Sequence, residues 1–211
     1  QSDLDFEETQ NIEQYILDWD TIVNDSKYAY DGSVRLQSKF FDNVNYTVKY
    51  NAVDNYIYDD SEPTLLRAGV WLYQITGDEQ FLQNARIITD VIEGDYLYES
   101  GIVMNAHPIS KTVDINEAHT NQNILSDVAQ LAFVDSNYIQ LTKTIANTFI
   151  EYEINHETEL FYNGVTLEGK PLDRSMYMSY GGADGLESLL LAYEATSDIV
   201  YLDQVKRTIL A

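Results

Sequence analysis

The chain has 211 residues, 45% of them hydrophobic, which is enough for a sizeable folded core and excludes a disordered protein. Its formal net charge of −23 makes nucleic acid and anionic membranes poor partners, because phosphate groups are bound by Lys and Arg. It contains no cysteine and no apolar run near the roughly 18 residues of a transmembrane helix, so disulfides, thiolate metal sites and a membrane span are excluded.

The first predicted element is a helix over residues 7–23, where apolar residues line one side. Helical spacing of apolar residues then predicts three helical hairpins, at about 62–93, 119–152 and 182–210. Linkers of roughly 25 to 30 residues join the hairpins, and connections of this length inside a compact domain are usually functional. Short strands are expected in these linkers, within residues 99–119 and 162–174.

The three hairpins are copies of one unit that recurs every 60 residues. The segment "LYQITGDEQFLQNAR" matches "AYEATSDIVYLDQVK" 120 residues later, and "AFVDSNYIQLTKTIA" is a weaker copy between them. At the turn, Gly77 is expected to take the left-handed conformation and Asp78 to cap the next helix. Asn137 and Ser197 occupy the equivalent position, and Asn tolerates that conformation better than Ser.

The aromatic residue before each turn is predicted to be buried between hairpins. These residues are Tyr73, Phe133 and Tyr193, which stand near Thr76, Ser136 and Thr196.

The 60-residue register also places three other segments at equivalent points, the starts of the inner helices. Residues 59–60, 119–120 and 179–180 are therefore predicted to surround one mouth. Helix N-termini favour negative charge, which reduces the cost of placing Asp59 beside Asp60. Adjacent residues in an extended segment point to opposite sides, so the two carboxyl groups could approach a ligand from different directions.

The pattern "YIYDD…LLRAGVWLYQITGDEQFLQNA" resembles that of the endo-α-1,6-mannanases, glycoside hydrolase family 76. The segments "TNQNILSDVAQLAF" and "MSYGGADGLESLLLAYEATSDIVYL" are similar to later inner helices of the same family. The resemblance implies an all-α fold, a toroid-like array of helical hairpins of the six-hairpin (α/α)6 glycosidase type. Residues 1–211 would form a single domain that is part of a larger barrel. Sugar epimerases and unsaturated-uronyl hydrolases share the hairpin pattern.

The resemblance further implies a glycoside hydrolase that cleaves an α-mannan-like polysaccharide outside the cell or at its surface. One of Asp59 and Asp60 would be the nucleophile and the other the acid/base, and which is which stays open. Substrate-binding residues are expected at the same mouth, namely Tyr58, His119, Asn121, Tyr180 and Gly181. The sequence departs from the family after the double aspartate, where Ser61 and Glu62 replace a Trp, and after Tyr180, where Gly181 and Gly182 replace Asn-Gln-Gly.

Other interpretations of these residues stay open. The run "DDSEP" is also typical of an ordinary acidic helix start, with Ser61 as cap and Pro63 in the first turn. The protein would then be a noncatalytic carbohydrate-binding or helical-repeat module, or a sugar epimerase or lyase on the same fold. No cofactor or metal is predicted, because the sequence has no nucleotide fingerprint and neither its histidines nor its aspartates show a metal-site spacing.

Overall fold

The computed structural model describes residues 41–42, 47–48, 56–58, 61–103, 106–108, 115–162, 164–172, 176–177 and 180–211. The predicted helix over 7–23 lies outside these residues, as do Asp59 and Asp60.

Six α-helices form three antiparallel pairs at the predicted positions of the hairpins, within the described part of the chain. The inner helices are α1 (Ser61–Thr76), α3 (Ala118–Val134) and α5 (Tyr180–Thr196). The outer helices are α2 (Glu79–Val91), α4 (Ile139–Glu153) and α6 (Ile199–Leu210). A π-helical turn, Ile92–Tyr96, continues α2, and a short 3-10 helix, Ser136–Tyr138, precedes α4. None of the described helices is long and apolar enough to cross a bilayer.

Short antiparallel strands lie before and between the hairpins, and three of them, at 106–108, 115–117 and 164–166, fall in the two segments where the sequence predicted strands. The strands are β1 (Phe41–Asp42), β2 (Thr47–Val48), β3 (Tyr56–Tyr58), β4 (Ala106–Pro108), β5 (Ile115–Glu117), β6 (Ile154–Asn155), β7 (Leu160–Tyr162), β8 (Gly164–Thr166) and β9 (Met176–Tyr177). Strand β3 pairs with β4 and β5 with β8, while β7 pairs with both β6 and β9. The strands β3, β5 and β9 stand directly before the three inner helices, so each inner helix begins beside a small β-ladder.

The inner helices are parallel and in the 60-residue register. Arg67 on α1 forms an ion pair with Asp127 on α3, and the Trp71 indole N–H donates to the Gln130 side chain at 2.6 Å. Both contacts join residues 59 or 60 positions apart, which requires two helices that run in the same direction. Helix α3 packs against both α1 and α5, and the outer helices cover the other side.

The first and third turns have the predicted geometry. Gly77 has a φ of 68° and Ser197 has a φ of 57°, both in the left-handed region. Asp78 caps α2 by accepting from the Gln80 N–H, and Asp198 caps α6 in the same way. Serine therefore takes the left-handed position in the third turn although its side chain disfavours it.

The second turn differs from this pattern, and the preference expected for Asn137 was wrong. Asn137 lies in the 3-10 helix, and Asp135 accepts from its N–H at 3.1 Å. The Asp135 N–H bonds to the Leu131 carbonyl, whereas the Gly77 N–H bonds to the Tyr73 carbonyl. Helix α3 thus ends two residues earlier in the 60-residue register than α1 does, and the 3-10 helix fills the difference.

This early end of α3 explains a second correction. Tyr73 and Tyr193 are half-buried and pack against the core, but Phe133 is 44% exposed, so its predicted burial was wrong. Leu131 accepts the turn hydrogen bond that Tyr73 and Tyr193 accept in the other hairpins, and Leu131 is fully buried. It therefore takes the place that the repeat assigned to Phe133.

Candidate site at the starts of the inner helices

The starts of the three inner helices define one end of the array, called here the helix-start rim: Ser61, Ala118 and Tyr180 with the strands β3, β5 and β9 before them. Because α1 and α3 are parallel and in register, their first turns lie at the same end. Helix α5 packs against α3, and Glu187, 60 residues after Asp127 in the sequence, lies near enough to Asp127 for its charge to raise the pKa of that carboxyl group. The partial positive charges of three helix N-termini therefore meet at this rim.

The structure brings the predicted binding residues to this rim by their backbone positions. Tyr58 is the last residue of β3 and pairs with Ala106. His119 and Asn121 lie in the first turn of α3, and Tyr180 and Gly181 begin α5. Asp59 and Asp60 lie outside the described residues, between the end of β3 and the start of α1 in the sequence. Their catalytic role stays a prediction.

Asn121 has a partner that the sequence did not predict. Its side-chain amide donates to a carboxyl oxygen of Glu153 at 2.5 Å, and both side chains are fully buried. Glu153 is the last residue of the outer helix α4, which runs antiparallel to α3 and so returns to the helix-start rim. The substrate-binding role of Asn121 is not tested by this bond and stays a prediction.

Burial raises the pKa of Glu153 well above its ordinary value, and the bond from Asn121 opposes that rise. A neutral carboxyl group at this point can hold the Asn121 amide without placing a bare charge in the core. One sequence signal could have found Glu153. It follows Leu141, Ile145 and Phe149 at four-residue spacing, so it occupies the buried stripe of α4.

A second polar cluster lies further into the array, between α1 and α3. The Arg67 guanidinium contacts the Asp127 carboxylate at 2.5 Å and donates to the Ser126 hydroxyl at 3.3 Å. Burial raises the pKa of Asp127 to about 7, and the adjacent Arg67 cation opposes that rise. The Gln122 side chain is also fully buried, and neither of its amide atoms has a partner among the described residues.

The interior below the helix-start rim therefore contains several buried polar side chains that the structure leaves only partly hydrogen-bonded. Asn121, Asp127 and Glu153 each keep one buried oxygen without a partner among the described residues. Buried polar atoms of this kind normally form hydrogen bonds with water or with neighbouring groups. They therefore mark this end of the array as the place where water or a polar ligand group could bind. No group of three or more metal-ligating side chains occurs in the described ranges.

Comparison of the chain with protein-family models and with curated protein sequences finds no match. Solved structures do match. A sugar epimerase from a ruminal bacterium is similar over 89% of this chain and 54% of its own, with a TM-score of 0.68 and 12% identity. An α-mannanase of glycoside hydrolase family 76 from Bacteroides thetaiotaomicron is similar over 78% of this chain and 46% of its own, with a TM-score of 0.62 and 16% identity.

A third match is an inactive variant of the α-1,6-mannanase of a Salegentibacter species in complex with α-1,6-mannotriose. In that variant two consecutive aspartates are replaced by asparagine. It covers 76% of this chain and 47% of its own, with a TM-score of 0.60 and 16% identity.

These similarities define the class of fold. The chain has the helical-hairpin architecture of the six-hairpin (α/α)6 type, in which family 76 mannanases and sugar epimerases are built. It spans about half the length of these three solved structures, from 46% to 54% of each. The fold is thus a partial, divergent version of that barrel.

Proposed function

We propose that the full-length protein is a glycoside hydrolase that cleaves an α-mannan-like polysaccharide, with Asp59 and Asp60 as the two catalytic carboxyl groups. The observation that carries the proposal is their place in the chain. In the sequence they stand between the last residue of β3 and the first residue of α1, the first of the three inner helices. We further propose that it acts outside the cell or at its surface, where such a polysaccharide is met.

The chemistry needs two carboxyl groups in different protonation states. One protonates the leaving glycosidic oxygen, and the other attacks the anomeric carbon or activates a water molecule. Two neighbouring carboxyl groups repel each other when both are ionised, so one retains its proton to a higher pH. If the pair lies at the N-terminus of α1, as its place in the sequence predicts, the partial positive charge of that helix end would stabilise the ionised carboxylate.

The comparison with the Salegentibacter mannanase supports the use of a double aspartate. In that enzyme the inactive variant carries asparagine at two consecutive aspartates, and its structure holds α-1,6-mannotriose. Asp59 and Asp60 are consecutive and precede an inner helix of the same fold. The five predicted binding residues, Tyr58, His119, Asn121, Tyr180 and Gly181, would surround the sugar from the three helix starts.

The test is an assay of α-1,6-mannan hydrolysis by the full-length protein, in which the release of reducing ends is measured. Asp59→Asn and Asp60→Asn are each expected to lower the rate by about 10²- to 10⁴-fold, the contribution of one catalytic carboxyl group. Glu62→Gln is the matched control, since it removes a nearby carboxyl group and leaves both Asp59 and Asp60 unchanged. Equal activity in all three variants would remove the catalytic role from the double aspartate.

A sugar epimerase is a second candidate, favoured by the higher TM-score of the ruminal epimerase. It is tested on the same preparations by incubating mannose and cellobiose and separating the sugars formed. Conversion of either sugar without hydrolysis of mannan would select the epimerase. Binding of mannan with neither reaction would select a noncatalytic carbohydrate-binding module.

A further inference from the structure

A groove lies at the C-terminal end of α4, where this outer helix passes into β6, beside β7 and the turn that follows β8. We call it the Tyr152 groove, and nine of the described residues line it: Glu151, Tyr152, Ile154, Asn155, His156, Glu157, Tyr162, Gly169 and Pro171. Its volume is about 500 Å³, within the range of small-molecule sites. No functional residue predicted from the sequence lies in it.

The floor of the groove is aromatic and held in place. Tyr152 and Tyr162 are half-buried against a small apolar cluster of Ile102, Val165 and Leu167. Gly169 has a φ of 81°, and a Cβ atom there would stand 2.2 Å from the Tyr152 ring. The Tyr152 ring therefore packs directly against the backbone at Gly169, while the residue stays half-exposed and lines the groove.

The walls of the groove are polar and carry negative charge. Glu151 and Glu157 are exposed carboxylates of this lining, and the interaction with the Glu151 carboxylate raises the pKa of the Tyr152 hydroxyl. Asn155 is fixed in the wall because its side-chain oxygen accepts from the Glu157 N–H at 2.8 Å. No Lys or Arg belongs to this described lining, so an anionic ligand is disfavoured.

The groove is separate from the polar interior at the helix-start rim. Glu153 directs its carboxyl group to buried Asn121. Consecutive residues of an α-helix point about 100° apart, so Tyr152 lies on a different face of α4 from Glu153. A ligand in the groove would therefore contact the outer side of the array.

We propose that the Tyr152 groove is a second binding site for a neutral glycan, separate from the candidate catalytic site. Aromatic rings offer flat faces for the C–H faces of a sugar, and the carboxylates and the imidazole offer hydrogen-bond partners for its hydroxyl groups. The choice of ligand rests on the proposed function, whereas the site rests on the groove itself. Such a site would hold a polysaccharide on the protein while the candidate catalytic site cleaves another part of the same polysaccharide.

The test uses the full-length protein with both Asp59→Asn and Asp60→Asn, so that no sugar is consumed. α-1,6-Mannotriose and cellotriose are titrated separately, and the backbone amide signals of Gly169 and Asn155 are followed by NMR. One neutral trisaccharide is expected to shift both signals in a saturable way. Tyr152→Ala and Glu157→Gln are each expected to weaken that binding about fivefold or more, the effect of losing one favourable contact.

Tyr98→Ala is the matched control. Tyr98 packs against the same apolar cluster but does not line the groove, so its loss should leave the affinity unchanged. Glu157 is exposed, so Glu157→Gln tests the site even if Tyr152→Ala fails to fold. The proposal is overturned if neither sugar shifts these signals, if both groove variants bind as tightly as the parent, or if spermidine shifts them and the sugars do not. Sugar binding in the groove together with no hydrolysis by the wild type would contradict the proposed function and leave this site standing.

Discussion

Two buried carboxyl groups should control how the protein responds to pH. Glu153 is fully buried and bonded to Asn121, and burial raises its pKa well above the ordinary value. Burial likewise raises the pKa of Asp127 to about 7, against the effect of Arg67. A carboxyl group whose pKa is raised by folding binds its proton more tightly in the folded than in the unfolded state. Its contribution to stability is complete below the unfolded pKa and is lost as the pH rises through the folded pKa.

The free energy of unfolding is therefore expected to fall as the pH rises from the ordinary glutamate value of 4.5 toward 8. Glu153→Gln keeps the bond to Asn121 but cannot ionise, so it should reduce this fall. Urea denaturation at pH 5 and pH 8 measures it. Glu151→Gln, two residues away on the exposed side of α4, is the control and should retain the full pH dependence. A Glu153→Gln variant with an unchanged pH profile would show that Glu153 does not titrate with folding.

At the scale of single elements, the three turns test what the left-handed conformation costs. Ser197 holds a φ of 57° in the turn between α5 and α6, whereas Asn137, its equivalent 60 residues earlier, lies in a 3-10 helix. Ser197→Gly should raise the free energy of unfolding by up to about 1 kcal/mol, since glycine carries no Cβ penalty there. Asn137→Gly should lower it by about 0.5–1 kcal/mol. Residue 137 is not left-handed, so glycine relieves no strain there, and its extra backbone freedom only stabilises the unfolded state. Urea titrations of the two variants decide this, and a loss of stability in Ser197→Gly would contradict the argument.

Two helical glycines form a second matched pair at this scale. Gly185 in α5 is buried, and an added Cβ would stand 2.9 to 3.1 Å from three carbons of the Phe161 ring. That ring stacks on Phe149 at 5.4 Å and is fully buried, so it has little room to move. Gly94 in the π-helical turn is exposed and has no atom within 4 Å of such a Cβ.

Gly185→Ala should therefore lower the free energy of unfolding by about 1–3 kcal/mol, because overpacking outweighs the helix propensity of alanine. Gly94→Ala should leave the stability unchanged or raise it by up to about 1 kcal/mol. Thermal and urea unfolding of the two variants measure the difference. Equal stabilities would show that the Phe161 ring yields to the methyl group.

The sequence predicted the elements well because each carries its own local signals. Apolar spacing indicated the six helices, and Gly77 and Asp78 indicated the turn that joins the first two. The second turn could not be predicted, because its geometry depends on Asp135 as cap and on an ion pair at 2.7 Å to Arg86 of the preceding hairpin. That contact joins residues 49 positions apart, and no local pattern indicates it.

At the scale of the whole molecule, the repeat made the architecture predictable and left the interior of the site hidden. A 60-residue period requires equivalent hairpins, and the Arg67–Asp127 and Trp71–Gln130 contacts confirm the parallel register that follows from it. The bond between Asn121 and Glu153 joins the start of an inner helix to the end of an outer one. Repetition does not predict it, since Ser61 and Gly181 occupy the positions equivalent to Asn121.

The whole molecule also carries a charge that should oppose its folding. It has 35 acidic and 12 basic residues, so acidic side chains repel one another over most of its surface. Salt shortens the range of that repulsion, from about 30 Å at 0.01 M to about 10 Å at 0.1 M. The buried Arg67–Asp127 pair is screened much less than the surface charges. Added NaCl should therefore remove more repulsion than attraction.

The free energy of unfolding in urea, which is uncharged, is expected to rise with NaCl, with most of the gain complete by about 0.2 M. A variant with Glu168→Gln and Glu194→Gln, two exposed carboxylates, should be more stable than the wild type at low salt. It should also gain less from NaCl, because less repulsion remains to be screened. Saturation below about 0.3 M separates screening from the effects of salt on apolar surfaces, which continue to grow with concentration. A stability that falls with NaCl, or an equal gain in both proteins, would show that the net charge does not limit this fold.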